Sequence, residues 1–233
     1  MSAKPHSKGG GVLAIWTDVR PEDDADFNNW YNRDHLPERT AHPGFLNGRR
    51  YKAISGSPRY MTLYDTQSPD ALSHTIYRQA LENPSSGTRR IMPSFQNSTR
   101  SVFRIDYRFG AGLGGVVATI RPQNDCVAAS GFCPSLADAA FPALMDCDGV
   151  ISVEYLSVAP GFAAADASDT TEGALRAKPD STTPWAIIIG ATELGLLRAA
   201  LNKATPREAL REHAGVAADQ HDNQVSGFVF IVF

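Results

Sequence analysis

Polar and ionisable side chains occupy one face of a helix that is predicted near the N-terminus, within the stretch NNWYNRDHLPERTAHPGF. The i, i+3, i+4 spacing of an amphipathic helix selects, in order, Phe27, Trp30, Tyr31, Asp34, His35 and Glu38. A face that only packed against a core would be aliphatic throughout, whereas this one is aromatic at its start and ionisable at its end. The pattern predicts a site that exchanges protons beside an aromatic-lined pocket.

His35 is the principal candidate for proton transfer, because an imidazole with an ordinary pKa of ~6.5 can accept or donate a proton near neutrality. Tyr31 lies one helical turn earlier and Asp34 is adjacent in the sequence, so both are candidates for orienting the imidazole. The alternative is that His35 only hydrogen-bonds the turn after the helix. We expect His35, Asp34 and Tyr31 to form the catalytic group.

Aromatic and basic residues on the predicted helix and strands are candidates for binding a substrate. Trp30, Tyr51 and Tyr64 could line a pocket for a flat apolar ligand, and ordinary core packing is the alternative. Arg49 and Arg50 are consecutive on a predicted strand, so alternation turns one of them towards the sheet interior. We expect Arg49 to bind a carboxylate or enolate oxygen, or to form an internal ion pair with a carboxylate of the helix.

The sequence carries no pattern that is specific for a cofactor. His35 and Glu38, at i and i+3, supply at most two well-placed metal ligands, whereas a metal site needs three or more. The glycine-rich GAGLGG (110–115) leads into a predicted strand instead of a helix, so we interpret it as a linker and not as a nucleotide loop. Nothing around the histidines is diagnostic of haem. We expect chemistry without a cofactor or a metal.

The overall composition is that of an ordinary globular protein. The chain has 233 residues, of which 42% are hydrophobic and 20% charged, and its formal net charge is −3. It lacks a basic run or a nucleic-acid-binding motif, and its apolar runs are too short to cross a membrane. We found no signal-peptide core, and the three cysteines lack CxxC spacing. We expect a cytoplasmic protein with a small-molecule substrate. A homo-oligomer is compatible with the sequence.

Hydrophobic periodicity divides the first half of the chain into six elements. A period of two residues predicts strands over 11–18, 46–54, 59–65 and 100–109. A helical period fits about 23–41 and 69–82. The segment SSGTRRIMPSF, which starts at residue 85, is interpreted as a loop. The resulting order, β-α-β-β-α-β, is that of a ferredoxin-like unit.

The second half repeats the pattern of the first in the same order. GVLAIW (11–16) resembles GVVATI (115–120), and RYMTLYDTQSPDAL (59–72) resembles PWAIIIGATELGLL (184–197). A ferredoxin-like unit leaves one sheet face uncovered, and a second copy is its usual partner. We therefore predict an α+β fold in which two tandem ferredoxin-like units form a dimeric α/β barrel within one chain.

The predicted domain boundaries follow from this repeat. Residues 1–10 are interpreted as a flexible tail, 11–110 as the first unit with the site, and 111–233 as a degenerate second unit. An insertion at 159–184 is rich in Ala, Ser, Thr and Asp and has no apolar period. We interpret this insertion as a tolerated surface loop, and a lid remains open as the alternative.

The second half also serves as an internal control for the polar helix face. Aligning Gly149 with Gly44 shifts the numbering by 149 − 44 = 105 residues. The ionisable or hydroxyl-bearing positions of the first helix then correspond to Leu136, Ala139, Ala140 and Ala143. The repeated architecture thus accommodates apolar residues at these positions, and a function is the simplest reason for the polar ones.

The stretch NNWYNRDHLPERTAHPGFLNGRRYKA resembles the signature of EthD-like proteins of the dimeric α/β-barrel superfamily, with its aromatic pair, HLP, PGF and Arg-Tyr-containing strand. The resemblance covers about residues 11–109, and 113–233 match only in the order of elements. It implies a pocket with a histidine of the first helix pointing at it. The superfamily includes cofactor-free monooxygenases, muconolactone-isomerase-like enzymes, decarboxylases and dehydratases of polyketide rings, and haem-dependent enzymes.

These observations favour a cofactor-independent enzyme that uses His35 for acid/base chemistry on a small cyclic or enolisable compound. We expect a lyase or isomerase, of decarboxylase or dehydratase type. A cofactor-free monooxygenase is the first alternative, because deprotonation of an activated ring precedes oxygenation as well. A non-catalytic small-molecule-binding or stress protein is the second alternative, in which His35 would only orient a ligand.

Overall fold

The computed structural model describes residues 10–122, 140–162, 169–204 and 225–232, the last range by its backbone. The predicted tail up to residue 9, part of the insertion (163–168), and two of the positions that correspond to the polar helix face, Leu136 and Ala139, lie outside the described residues.

The first half contains four strands and a helical segment in which two α-helices flank a π-helical turn. Its elements are β1 (Gly11–Val19), α1 (Asp24–Trp30), the π turn (Tyr31–His35), α2 (Leu36–Thr40), β2 (Phe45–Ser55), β3 (Tyr60–Thr66), α3 (Thr75–Glu82), α4 (Ser86–Ile91) and β4 (Phe95–Phe109). Short 3-10 turns precede α1 and α3 and follow α4. The loop predicted after residue 85 is wrong over α4, because the Ser85 hydroxyl accepts a hydrogen bond from the Thr88 amide and caps a helix.

The second half has the same strand pattern as the first. Its elements are β5 (Val116–Pro122), α5 (Phe141–Met145), β6 (Val150–Val158), β7 (Trp185–Ala191), α6 (Leu194–Ala204) and β8 (Val225–Val232), with a 3-10 turn at Gly173–Leu175. Among the described residues, no helix has the length and apolarity that a membrane crossing requires.

The strands described here close into a barrel in the order β1-β3-β2-β8-β5-β7-β6-β4, and every neighbouring pair is antiparallel. Each half contributes four adjacent strands in the ferredoxin-like order fourth-first-third-second. The halves join where β2 pairs with β8 and β4 pairs with β6. Closure leaves none of these eight described strands with an unpaired sheet edge. The predicted α+β fold, a dimeric α/β barrel formed within one chain, is confirmed.

Alternating residues of each strand separate the barrel interior from the helix-covered outside. On β1, Ala14 and Trp16 belong to a buried cluster of strand residues from both halves, which is the barrel interior. Leu13 and Ile15 instead pack under the helices of the first half, in a second cluster with Trp30. A third cluster lies under α5 and α6. A pocket between helix and sheet therefore lies over the strands of one half only.

The described part of the insertion packs against the first half of the chain. We call residues 169–183 the strap. The Glu172 amide donates to the Leu81 carbonyl at 2.9 Å, and the Ser181 amide donates to the Ser98 carbonyl at 2.9 Å. Farther along, the Thr183 amide donates to the Ser101 hydroxyl at 2.9 Å. The strap therefore covers α3 and β4 of the first half, although it belongs to the second half in sequence.

The glycine of the PGF motif is required by its backbone conformation. Gly44 has φ +85°, and a Cβ there would lie 2.7 Å from the Cβ of Ala71. We expect Gly44→Ala to destabilise the protein by about 1–3 kcal/mol, because a side chain is strained at this φ and crowded as well. Urea unfolding measures this. Gly195→Ala in α6 is the control, since its Cβ would meet open space, and a similar loss there would contradict the explanation.

Candidate functional site

The π turn sets which side chains of the first helical segment face the sheet. Tyr31, His35 and Arg39 are buried and four residues apart, whereas Asp34 is exposed. A π turn has more residues per turn than an α-helix, so positions four apart stay in line instead of drifting around the axis. The expectation that Asp34 and Glu38 continue the inward face needs correction: Arg39 takes that place, and Asp34 points to solvent.

The imidazole of His35 is held by aromatic packing. It is 4% exposed and stacks on the Trp30 indole with ring centroids 4.4 Å apart. The Tyr31 ring approaches it edge-on at 5.1 Å. His35 Nδ1 is buried without a hydrogen-bond partner. Burial, followed by the charges of Arg39 and Arg176, holds the pKa of His35 well below 6.5, so the imidazole is neutral at pH 7.

A small cavity lies between the π turn, the outer face of the sheet and the strap. Its volume is about 20 Å³, space for about one water molecule. Apolar, phenolic and charged side chains from both halves line it: Leu13, Ile15, Tyr31, His35, Arg39, Tyr64, Tyr77, Met92, Phe95, Arg100, Glu172 and Arg176. A ring-sized ligand enters only if lining side chains or the strap move.

Two phenol groups in the cavity wall are hydrogen-bonded to each other. The Tyr64 hydroxyl donates to the Tyr31 hydroxyl at 3.3 Å. Burial, with a smaller contribution from Tyr31, raises the pKa of Tyr64 well above 10, so this phenol stays protonated. Because the Tyr31 hydroxyl accepts this bond, its own proton can be donated to a ligand oxygen.

Buried charges form the remaining wall of the cavity. Arg39 pairs with Glu172 of the strap, and Arg176 pairs with Asp180. Burial lowers the pKa of Arg176 to about 10, and burial raises the pKa of Glu172 while both arginines oppose that rise. Arg39 Nη1 and Arg176 Nε are buried without a hydrogen-bond partner. The arrangement provides cationic donors beside a neutral imidazole.

The structure does not bring Arg49 and Tyr51 to this cavity. Both lie on the face of β2 that points into the barrel, where Arg49 Nη2 contacts Asp65 Oδ1 at 2.9 Å. The internal ion pair expected for Arg49 thus has Asp65 as its partner, and not a carboxylate of the helix. Arg50 occupies the outer face, with its guanidinium carbon 4.1 Å from the centroid of the Tyr31 ring.

The sequence-predicted residues that do meet are Trp30, Tyr31, His35 and Tyr64. The cavity residues that sequence reasoning missed include Arg39, Arg100 and the two strap residues Glu172 and Arg176. Arg39 could have been found from its i+4 spacing to His35, had the π turn been anticipated. The strap residues carry no periodic signal. Among the described residues, no group of three or more His, Cys, Asp or Glu side chains could hold a metal ion.

The described residues of the second half that correspond to His35 and Tyr64 are apolar. Ala140, which corresponds to His35, is buried in the cluster under α5 and α6. Ile189 takes the place of Tyr64 in the same cluster. The two halves therefore share the fold of this region, and only the first half places a titratable group in it at these positions.

No family model matches the chain, and no curated protein matches it. Solved structures do match over nearly its whole length. An anthrone oxidase-like protein is similar with a TM-score of 0.60 and 11% identity, covering 98% of this chain and 92% of its own. A proposed monooxygenase from Fusobacterium nucleatum has a TM-score of 0.52 and 8% identity, with coverages of 97% and 94%. A chlorite dismutase mutant from Candidatus Nitrospira defluvii has a TM-score of 0.51 and 8% identity, with coverages of 97% and 92%. At these identities the similarity shows the fold.

Gly87 of α4 leaves room for the indole that supports His35. A Cβ at Gly87 would lie 2.8 Å from Trp30 Cδ1. We expect Gly87→Ala to cost about 1–3 kcal/mol of stability despite the better helix propensity of alanine, because the buried ring must shift. Urea unfolding measures the loss. Ser86→Ala, at an exposed position of the same helix, should change little; equal effects of the two substitutions would contradict this packing.

The pKa of His35 predicts a dependence of stability on pH. The unfolded chain takes up a proton at the ordinary pKa of ~6.5, whereas the folded chain resists it until well below that value. Stability should therefore be complete above pH 6.5 and fall as the pH drops towards the folded pKa, by up to about 1.4 kcal/mol per pH unit. Denaturant unfolding between pH 7 and pH 5 should give a smaller slope for His35→Gln. Identical slopes would show that His35 titrates normally in the folded protein.

Proposed function

We propose that this chain is a cofactor-independent enzyme in which His35 exchanges a proton with a small cyclic or enolisable compound. The observation that supports this is a buried imidazole, neutral at pH 7, beside arginine and tyrosine donors in one half of a barrel whose other half is apolar at the corresponding positions. An EthD-like assignment is part of the proposal. Since a neutral imidazole can accept a proton but is not yet an acid, catalysis begins with proton abstraction.

The surrounding groups suit the anion that this step creates. When His35 accepts the proton of an acidic C–H or O–H group, the bonding electron pair moves to an enolate or phenolate oxygen. The Tyr31 hydroxyl and the guanidinium groups of Arg39 and Arg176 stabilise negative charge on that oxygen. Burial and the same positive charges make His35 a weak base, and stabilisation of the oxyanion offsets this weakness.

The fate of the anion defines the reaction type. In a lyase or isomerase, the protonated His35 returns the proton at another carbon, or assists loss of carbon dioxide or water. In a monooxygenase, the carbanion passes electrons to molecular oxygen, and a methylene group becomes a carbonyl group according to R₂CH₂ + O₂ → R₂C=O + H₂O. The fold similarity to an anthrone oxidase-like protein and to a proposed monooxygenase makes oxygenation an equal candidate.

Turnover of a substrate panel with and without oxygen tests the proposal. Anthrone is the first probe, followed by enolisable ring ketones and aromatic carboxylic acids. His35→Gln should lower the rate of any conversion by about 10²–10⁴-fold with the fold intact, as is typical for loss of a general base. Arg33→Gln is the matched control, since Arg33 lies in the same π turn but is exposed, and it should keep the wild-type rate.

The outcomes separate the three functions. One O₂ consumed per product identifies a monooxygenase, and equal anaerobic turnover identifies a lyase or isomerase. If no compound is converted while His35→Gln retains full ligand affinity, the protein is a non-catalytic binding protein and the proposed mechanism is wrong.

A further inference from the structure

The cavity beside His35 has an excess of positive charge. Among the described residues that line it, three carry guanidinium groups: Arg39, Arg100 and Arg176. One lining residue, Glu172, carries a carboxylate. Asp180 offsets part of the charge by pairing with Arg176. With His35 neutral, these groups together carry one net positive charge, which an apolar neutral ligand would leave uncompensated.

Glu172 places a carboxylate where a ligand would meet the arginines. It is 6% exposed and pairs with Arg39, although it belongs to the strap and therefore to the other half of the chain. The hydrogen bonds from this part of the strap to the first half include one from the Glu172 amide to the Leu81 carbonyl, and two from the Thr171 amide and hydroxyl to the Glu82 carboxylate. The carboxylate thus sits on a segment that is not one of the barrel strands.

Two buried guanidinium nitrogens near Glu172 lack acceptors. Arg39 Nη1 and Arg176 Nε are each buried without a hydrogen-bond partner. Leaving a buried donor unpaired is unfavourable, most of all for a charged group. Glu172 leaves both of these nitrogens without an acceptor, whereas a ligand that enters the cavity can bring further acceptors to them.

We propose that this cavity binds an aromatic carboxylate, and that Glu172 occupies the place of the ligand carboxylate until the ligand displaces it together with the strap. The inference rests on the proposed function and names the substrate class of that site. The aromatic ring would lie against Phe95 and the tyrosines, and its carboxylate would take over the pair with Arg39. A cavity of about 20 Å³ cannot hold a ring, so displacement is a condition of binding.

Isothermal titration with 2-naphthoate and with the neutral analogue 2-naphthamide tests the proposal. The wild-type protein should bind 2-naphthoate and prefer it to the amide. Glu172→Gln removes the competing carboxylate and should tighten 2-naphthoate binding about tenfold, a change typical of one charge-assisted contact, with little effect on the amide. The double variant Arg39→Gln/Glu172→Gln should lose this gain, and it avoids leaving Glu172 buried without its partner.

A second variant distinguishes competition by charge from loosening of the strap. Glu82→Gln weakens the exposed contact with Thr171 and leaves the charges of the cavity unchanged. This substitution should change the affinities for 2-naphthoate and 2-naphthamide by the same factor. A selective gain for 2-naphthoate in Glu172→Gln and not in Glu82→Gln supports the proposal. Equal affinity for the two probes, preference for 2-naphthamide, or no gain in 2-naphthoate binding in Glu172→Gln overturns it.

Failure of this inference is separable from failure of the proposed function. His35→Gln should retain 2-naphthoate binding, because Arg39 provides the contact. If 2-naphthoate binds as expected while no compound is ever converted, the carboxylate site is supported and the proposed catalytic role of His35 is wrong. If a neutral ring is converted by a mechanism dependent on His35 while 2-naphthoate is not bound, the reverse holds.

Discussion

The ion pair between Arg39 and Glu172 connects the helix that carries His35 with the strap that closes the cavity. Removing both charges from water costs free energy that their attraction returns only in part, so an apolar pair of similar volume would hold the strap at least as well. The pair is therefore a poor choice for stability alone. The pair also acts on the site: burial, followed by the charge of Arg39, lowers the pKa of His35, and the Glu172 carboxylate compensates the charge of Arg39.

Comparison of the two halves shows what the barrel requires and what it does not. Gly44 and Gly149 both have positive φ at the turn that precedes the second strand of each half, so the fold requires a glycine-type backbone conformation at this turn. The position of His35 is different, because Ala140 fills the corresponding place with an apolar contact. Burying an imidazole and several guanidinium groups is costly, and a scaffold that also accepts alanine does not need them. The polar groups are best explained by the chemistry of one cavity.

Much of the fold could be predicted from the sequence, because strand alternation and the repeated order of elements are local signals that barrel closure reinforces. The part of the site that comes from the first half of the chain was also partly predictable. The helix and strand periods indicate Trp30, Tyr31, His35 and Tyr64. Three things were not predictable. The π turn places Asp34 on the solvent side and Arg39 on the buried side, and no residue pattern in the sequence predicts a π turn here. Alternation alone could not say which of Arg49 and Arg50 faces the barrel. The strap comes from a segment without apolar period, whose position is set by tertiary hydrogen bonds.

The closed cavity also bears on how the site would work. His35 Nδ1 has no protein acceptor, so packing on Trp30 fixes the plane of the ring, whereas no hydrogen bond from the protein to Nδ1 fixes which nitrogen carries the proton. A ligand oxygen or an acidic C–H group can therefore decide the tautomer when it enters. In the proposed complex, a ligand that excludes water from the cavity would strengthen the attraction between the developing oxyanion and the guanidinium groups. Without a ligand, Glu172 pairs with Arg39 and Asp180 pairs with Arg176, and in the proposed complex the ligand carboxylate would take the place of Glu172 beside Arg39.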